Sequence, residues 1–200
     1  MYIIAFGGVA RAGKTTAASA ASEVVFEMGM TPRMMSFAQD LKAAAARIGL
    51  TKDGNPDKYR KTLQRWGESR RAKDQDFWVK RTEKRLLAAA VKEKNLYAKL
   101  GSGWSEEVLL FDDLRYPNEV DLISRWGGIT VFIDGARRLK DMKADYRKHE
   151  SEALAMNITY DVENEVIMDY HIRNEKDEAA FRKSVKTACS LWVDSLVLRQ

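Results

Sequence analysis

The chain has 200 residues, 45% of them hydrophobic and 10% aromatic, enough for one packed domain or for one domain with a mobile insertion. A charged fraction of 32%, a mean hydropathy of -0.44 and the lack of any run of 18 apolar residues exclude a membrane-spanning helix. The net charge of +5 is concentrated: from Asp57 to Leu100 fourteen basic residues stand against six acidic ones, a local +8, which fits an anionic ligand or a solvated helical face.

Tyr2-Ile3-Ile4-Ala5-Phe6 has no basic flank or cleavage pattern, so no signal peptide is expected, and the segment reads as a buried strand. After a glycine loop, Thr15 to Met28 reads as a helix with Gly29 at its C′ position. Arg33-Met34-Met35 is a candidate second strand. Ser36 is then expected to cap a helix with Gln39 at N3, and Phe37, Leu41, Ala45 and Ile48 to form its apolar stripe. Two basic helices follow. Tyr59, Leu63, Trp66 and Arg70 share a face of the first; the second starts near Asp76 as its cap and runs through Leu86 and Val91, before a polar break from Lys92 to Glu106.

Val108 to Phe111 is a strongly apolar run closing on Asp112 and Asp113, Pro117 fits helix position N1, and Gly127-Gly128 ends that helix. Ile129 to Ile133 is another strand, Gly135 to Lys148 a basic stretch with little periodicity, and Tyr170-His171-Ile172 a last strand. The final helix carries Phe181, Val185, Ala188, Cys189, Trp192 and Leu196 on one stripe. Cys189 is the single cysteine and is expected to be a buried thiol, in keeping with a reducing cytoplasm. Short strand-like runs alternating with long helical ones predict an α/β domain.

Gly8-Val9-Ala10-Arg11-Ala12-Gly13-Lys14-Thr15 matches G-x-x-x-x-G-K-[ST] without a gap, after a strand and opening a helix. Glycines let the backbone curl round phosphates with its N–H groups inward and the helix N-terminus behind them. Lys14 can reach the β- and γ-phosphates of ATP and the Thr15 hydroxyl can ligate Mg²⁺. The candidate ATP-binding set is Gly8, Ala10, Ala12, Gly13, Lys14, Thr15 and Thr16. Asp112 and Asp113, at the end of the next apolar strand, are candidates with Thr15 for the metal.

The loop alone does not name a reaction. The short chain leaves no room for most helicase modules, and no N-K-x-D guanine-reading motif is present. Arg65, Arg70, Arg71, Arg115, Arg137 and Arg138 provide cations of the kind that phosphoryl transfer between two phosphates needs, and an anionic acceptor makes a general base unnecessary.

An ordered series of segments carries a more specific likeness: the loop; Ser36-Phe37-Ala38 with Leu41-Lys42; Leu63-Gln64-Arg65-Trp66-Gly67 with Arg70-Arg71; Asp76-Phe77-Trp78; Asp113-Leu114-Arg115-Tyr116-Pro117-Asn118-Glu119; Gly127-Gly128; and His149-Glu150-Ser151-Glu152. In these the chain resembles the deoxynucleoside monophosphate (dNMP) kinases of tailed bacteriophages, over about residues 2 to 174. Asp169 through Ile172 to Asn174 is also similar to the end of dephospho-CoA kinases. The resemblance implies a single P-loop NTPase domain over 1–200, a three-layer α/β/α sandwich with a central parallel sheet. It would carry a helical acceptor-binding insertion at about 36–100 and a lid at about 135–150, its base ordered by His149.

The implied activity is ATP- and Mg²⁺-dependent conversion of dNMP to dNDP for DNA precursor synthesis, in a host cytoplasm. Lys14, Arg115, Arg137 and Arg138 would act on the reacting phosphates, Asn174 on ATP, and Phe37, Lys42, Arg65, Trp66, Arg70 and Trp78 on the dNMP. Gln39-Asp40 departs from the acid-proline pair expected there. A membrane or nucleic-acid partner is not expected, and a homodimer is left open. The alternatives are another small P-loop kinase, such as one like dephospho-CoA kinase, or a nucleic-acid-binding P-loop ATPase.

Overall fold

The structure, a computed structural model, describes residues 1–101, 105–135, 168–175 and 177–198. Its strands are β1 (Tyr2–Gly7), β2 (Thr31–Met35), β3 (Glu107–Leu114), β4 (Ile129–Asp134) and β5 (Tyr170–Arg173). Its helices are α1 (Lys14–Glu27), α2 (Gln39–Arg47), α3 (Pro56–Arg71), α4 (Phe77–Leu100), α5 (Pro117–Arg125) and α6 (Glu178–Leu198). The expected lid, with Arg137, Arg138 and His149, lies outside the described residues apart from Gly135.

All four pairings in the sheet are parallel, in the order β2-β3-β1-β4-β5. The chain leaves β1 for β2 in one direction and then travels back through β3 and past β1 to β4. Right-handed crossovers therefore put the helices of the two directions on opposite faces. On one face α1 and α6 bury Ala17, Ala21 and Val25 against Val185, Cys189 and Trp192. On the other, α4 and α5 bury Val79, Leu86, Val120 and Ile123. Strand residues alternate between the two layers: Ile4, Phe6, Val108 and Leu110 join the first, Ile3, Ala5, Leu109 and Phe111 the second. The result is a three-layer α/β/α sandwich with β1 at its centre.

The expected strands and the final helix are present, and the Cys189 thiol is buried, which pushes its pKa up to about 12. Several local expectations are corrected. Ser36 does not cap α2, which starts after Ala38; its hydroxyl is instead drawn to the Asp113 carboxylate. Ile48 lies past the end of α2 and is exposed, so the stripe stops at Ala45. The break expected from Lys92 to Glu106 does not begin until Gly101. That stretch has no glycine or proline until Gly101, so α4 continues to Leu100, and the Glu93 carboxylate meets the N-terminal ammonium at 2.9 Å. Asp76 precedes α4 without bonding its backbone through the side chain. Asn55, overlooked in the sequence, caps α3 by accepting from Lys58 N at 3.0 Å, with Pro56 at N1.

Candidate functional site: a phosphate-binding loop beside two carboxylates

The loop from Gly8 to Gly13 joins β1 to α1 at the carboxyl edge of the sheet, the edge where open α/β sheets bind ligands. Its outer end glycines are dictated by space. Gly8 has φ 127 and a Cβ there would lie 2.4 Å from Ile133 O; Gly13 has φ 103 and its Cβ would lie 2.5 Å from Asn174 Nδ2. Ala10 and Ala12 are buried between them. Asn174 braces the loop from behind: its Nδ2 donates to Ala12 O at 2.7 Å and its N to Asp134 O at 2.7 Å. Asn174, expected to meet ATP, is 3% exposed.

No side chain caps α1, so its first N–H groups and its dipole are directed at whatever the loop encloses. The Lys14 ammonium curls back over the loop, donating to Gly8 O at 2.6 Å and Val9 O at 2.7 Å. Thr15 is exposed at the mouth, and Thr16 is half-buried in the first turn of α1.

Asp112 and Asp113 part company because adjacent strand residues point to opposite faces. Asp112 turns toward α1 and accepts from Thr15 Oγ1 at 2.8 Å. Asp113 turns the other way and gathers the β2–α2 connection. It accepts from the Ser36 hydroxyl, from Phe37 N at 3.0 Å and from Ala38 N at 3.1 Å, with Lys42 Nζ 3.6 Å away. Lys42 itself donates to Ser36 Oγ at 2.8 Å and lies 4.0 Å from Asp112. Lys42 therefore sits between the two carboxylates and joins the loop side to the α2 side.

The other acceptor-side residues are not all brought to one place. The Phe37 ring is buried against Phe111, with centroids 5.2 Å apart. Trp78 is buried and spends its indole N–H on Gly67 O at 3.2 Å, tying α4 to α3. Trp66 is half-buried, Arg65 is exposed, and Arg70 is exposed with its guanidinium 5.6 Å from the Phe77 ring centre. Arg71 is engaged with Glu119. Arg115 lies partly buried just beyond β3, its N donating to Glu119 Oε2 at 2.8 Å.

Sequence reading missed Arg85. From α4 its Nη2 donates to Ser36 O at 3.0 Å and to Thr82 Oγ1 at 2.7 Å, and Nη1 lies 3.5 Å from Asp40. Burial lowers its pKa, opposed by the nearby Asp40 and Asp113 charges. Arg81 also binds Asp40. The spacing of Arg81 and Arg85, one helical turn apart, was the available signal. It also accounts for the departure at Gln39-Asp40: an acid here meets two arginines of α4.

Mg²⁺ takes oxygen donors, often only one or two from protein with the rest from water and phosphate. The Thr15 hydroxyl and Asp112 carboxylate, 2.8 Å apart at the mouth of the loop, are such a pair. No cluster of three or more His, Cys, Asp or Glu able to hold a metal occurs among the described residues. The Thr15 and Asp112 pair fits a cation carried in on a nucleotide, with phosphate and water oxygens as its other ligands.

The parallel sheet, the glycine loop opening α1 and the lysine and threonine on it define a P-loop nucleotide-binding fold. No family model matches the sequence, and no curated protein matches it. Two solved structures similar to the chain are shikimate kinases. One, from Acinetobacter baumannii in complex with shikimate, is 14% identical, with a TM-score of 0.45 over 98% of this chain and 94% of that one. The other, from Aquifex aeolicus, is 16% identical, with a TM-score of 0.36 over 97% of this chain and 98% of that one. The assignment of the fold rests on this chain's own strand order and loop.

Proposed function

We propose that the protein is an ATP-dependent phosphotransferase whose acceptor is a deoxynucleoside monophosphate. The observation that carries this reading is the bond from Thr15 to Asp112 at the mouth of the loop, with Lys14 beside it. A cation, a hydroxyl and a carboxylate grouped there support a reading in which the terminal phosphates of ATP and their Mg²⁺ are met at the mouth of the loop. A nucleotide phosphate would draw Lys14 from the Gly8 and Val9 carbonyls, because a charge-assisted bond to an anion is stronger than one to a neutral carbonyl. Mg²⁺ bound by Thr15 and Asp112 would supply charge neutralisation on the phosphates.

In the transfer, a phosphate oxygen of the acceptor forms a bond to the γ-phosphorus, the bond to the β-phosphate oxygen breaks, and ADP leaves. Lys14 holds the transferring group, and Arg115, beyond the carboxyl end of β3, binds its oxygens as charge spreads over them. Phosphate acceptors need no proton removed by the protein, so neither histidine is given a role as base. Asp113 positions the β2–α2 connection, which with Lys42 and Arg85 forms the wall facing the acceptor. Phe37, Trp78 and Arg71 set that wall in place. Arg65, Trp66 and Arg70, on α3, remain the residues through which a nucleoside would be met.

The dNMP acceptor is supported by the ordered Asp113 to Glu119 and His149 to Glu152 segments in the sequence. The test is ADP release with ATP and Mg²⁺ across the four dNMPs, their ribonucleotides, shikimate and dephospho-CoA. Release dependent on a dNMP is the expected outcome. Release with shikimate or dephospho-CoA alone would move the protein to another small-molecule kinase, and release stimulated by DNA would make it a nucleic-acid ATPase.

A further inference from the structure

Three residues of the Asp113 to Glu119 block reach away from the phosphate loop to the short stretch joining α3 to α4. Asn118 Nδ2 donates to Gln75 O at 3.1 Å and to Asp76 Oδ1 at 2.8 Å. The Tyr116 ring receives the Arg71 guanidinium 3.4 Å from its centre, a stacking contact. Glu119, 2% exposed, accepts from Arg71 Nη2 at 2.6 Å with one oxygen. Its other oxygen accepts from Arg115 N at 2.8 Å and Tyr116 N at 3.2 Å. A single buried carboxylate thus grips the end of α3 on one side and the backbone of Arg115 on the other.

None of the 16 residues of α3 is buried, and Leu63 and Trp66 are half-buried. The helix packs beside α2 and is tied to the α4 side by the Trp78 bond to Gly67 O and by the joint at Arg71 to Asp76. Charged groups facing Glu119 are Arg71 from α3 and Asp113 from β3, with the Arg115 and Tyr116 backbone from the turn before α5.

We infer that Tyr116, Asn118 and Glu119 clamp the α3–α4 joint to the carboxyl end of β3, and that Arg71 and Glu119 are positioning residues setting α3 and Arg115 in fixed relation. The kinetic half of this inference rests on the phosphotransferase reading; the clamp itself does not. Arg71 accordingly belongs to the scaffold of the site and is not an acceptor ligand. An ion pair of this kind cannot lose one member quietly, because the partner remains buried and uncompensated. Loosening it therefore disturbs both sides of the grip.

The experiment compares the unaltered 200-residue protein with Arg71→Met, Arg71→Lys, Glu119→Gln, Asn118→Ala and the double variant Arg71→Met/Glu119→Gln. Amide exchange is measured along the chain, and ADP release is measured at varied ATP and varied dNMP. In Arg71→Met, amides of α3 and the joint should exchange about tenfold faster, while those of β1, β3 and α1 keep their protection. The dNMP kcat/KM should fall about tenfold with the KM for ATP unchanged within about twofold. The double variant should be no worse than the worse single change, and Arg71→Lys should recover part of the loss.

Exchange faster everywhere, no change in α3, or strictly additive losses would each overturn the clamp. Should the wild type release no ADP with any dNMP, the functional reading fails, and the exchange pattern still decides the clamp.

Discussion

The phosphate loop and the α3–α4 joint both lean on the carboxyl end of β3, and they are held in opposite ways. The loop is secured through its backbone: glycines at φ 127 and φ 103, carbonyls that receive Lys14, and the Ala12 carbonyl that receives Asn174 from beyond β5. The joint is secured by side chains from distant segments, Arg71 with Glu119 and Tyr116, and Asn118 with Gln75 and Asp76. Such a site tolerates side-chain change except where a side chain does chemistry or, like Asn174, braces the backbone. A side-chain-built joint is exposed to every substitution in it. Variants in the two regions should therefore separate activity from architecture.

The largest effect is expected at Lys14. Lys14→Ala should leave a folded protein and lower phosphoryl transfer by about 10²–10³-fold, the usual cost of one lost charge contact to a transition state. Transfer within threefold of wild type would falsify the assignment of the loop.

The neighbouring carboxylates provide the sharpest contrast. Asp112→Asn should cut transfer on the order of 10²-fold and make the apparent Mg²⁺ requirement weaker in affinity, without loss of stability. Asp113→Ala should destabilise the fold by about 1–3 kcal/mol, since the Phe37 and Ala38 N–H groups lose their acceptor. Mg²⁺ titrations and thermal melts of both variants decide it; if the two effects were exchanged, the division of labour drawn from strand alternation would be wrong.

A smaller effect is expected at Arg115, whose backbone N is held by Glu119 and whose guanidinium is proposed to meet the reacting phosphates. Arg115→Lys keeps the charge and loses the planar fork, so transfer should slow by about tenfold with ATP binding retained. The loss should be the same for every dNMP accepted. A loss confined to one base would show that Arg115 reads the nucleobase.

The smallest effect concerns pH at Glu119. Burial pushes its carboxyl up to about 7 from its usual 4.5, against the pull of Arg71. Between those values the folded protein keeps a proton that the unfolded chain has released. Wild type should therefore lose stability relative to Glu119→Gln as pH rises from about 4.5 to 7, and the two curves should run parallel above that. The opposite slope in denaturant titrations would mean that Arg71 outweighs burial and keeps the carboxylate charged throughout.

Much of this was legible in the order of residues. The strand–loop–helix unit from Tyr2 to Glu27 needs only neighbours in sequence: an apolar run, glycines where the backbone must turn, and a helix former after Lys14. The core stripe of α6 and the start of α5 at Pro117 are equally local. The continuation of α4 past Lys92 was also written locally, in the lack of a breaker before Gly101, although polarity argued for a loop. Arg85 was partly legible as the turn-spaced partner of Arg81. What it faces, Ser36 and Asp40, is 45 to 49 positions away, and no pattern along the chain gives that approach.

By itself, then, the sequence determined the α/β alternation, the phosphate loop and the pair of acids that close β3, because each depends on interactions among residues a few positions apart. Tertiary structure alone decided that Asp112 serves Thr15 while Asp113 binds the β2–α2 connection, that Asn174 braces the loop, and that Arg71 is matched with Glu119. Those outcomes depend on which strand lies beside which and on the face to which each residue is turned. Parallel pairing and right-handed crossovers fix both only when the whole sheet has assembled.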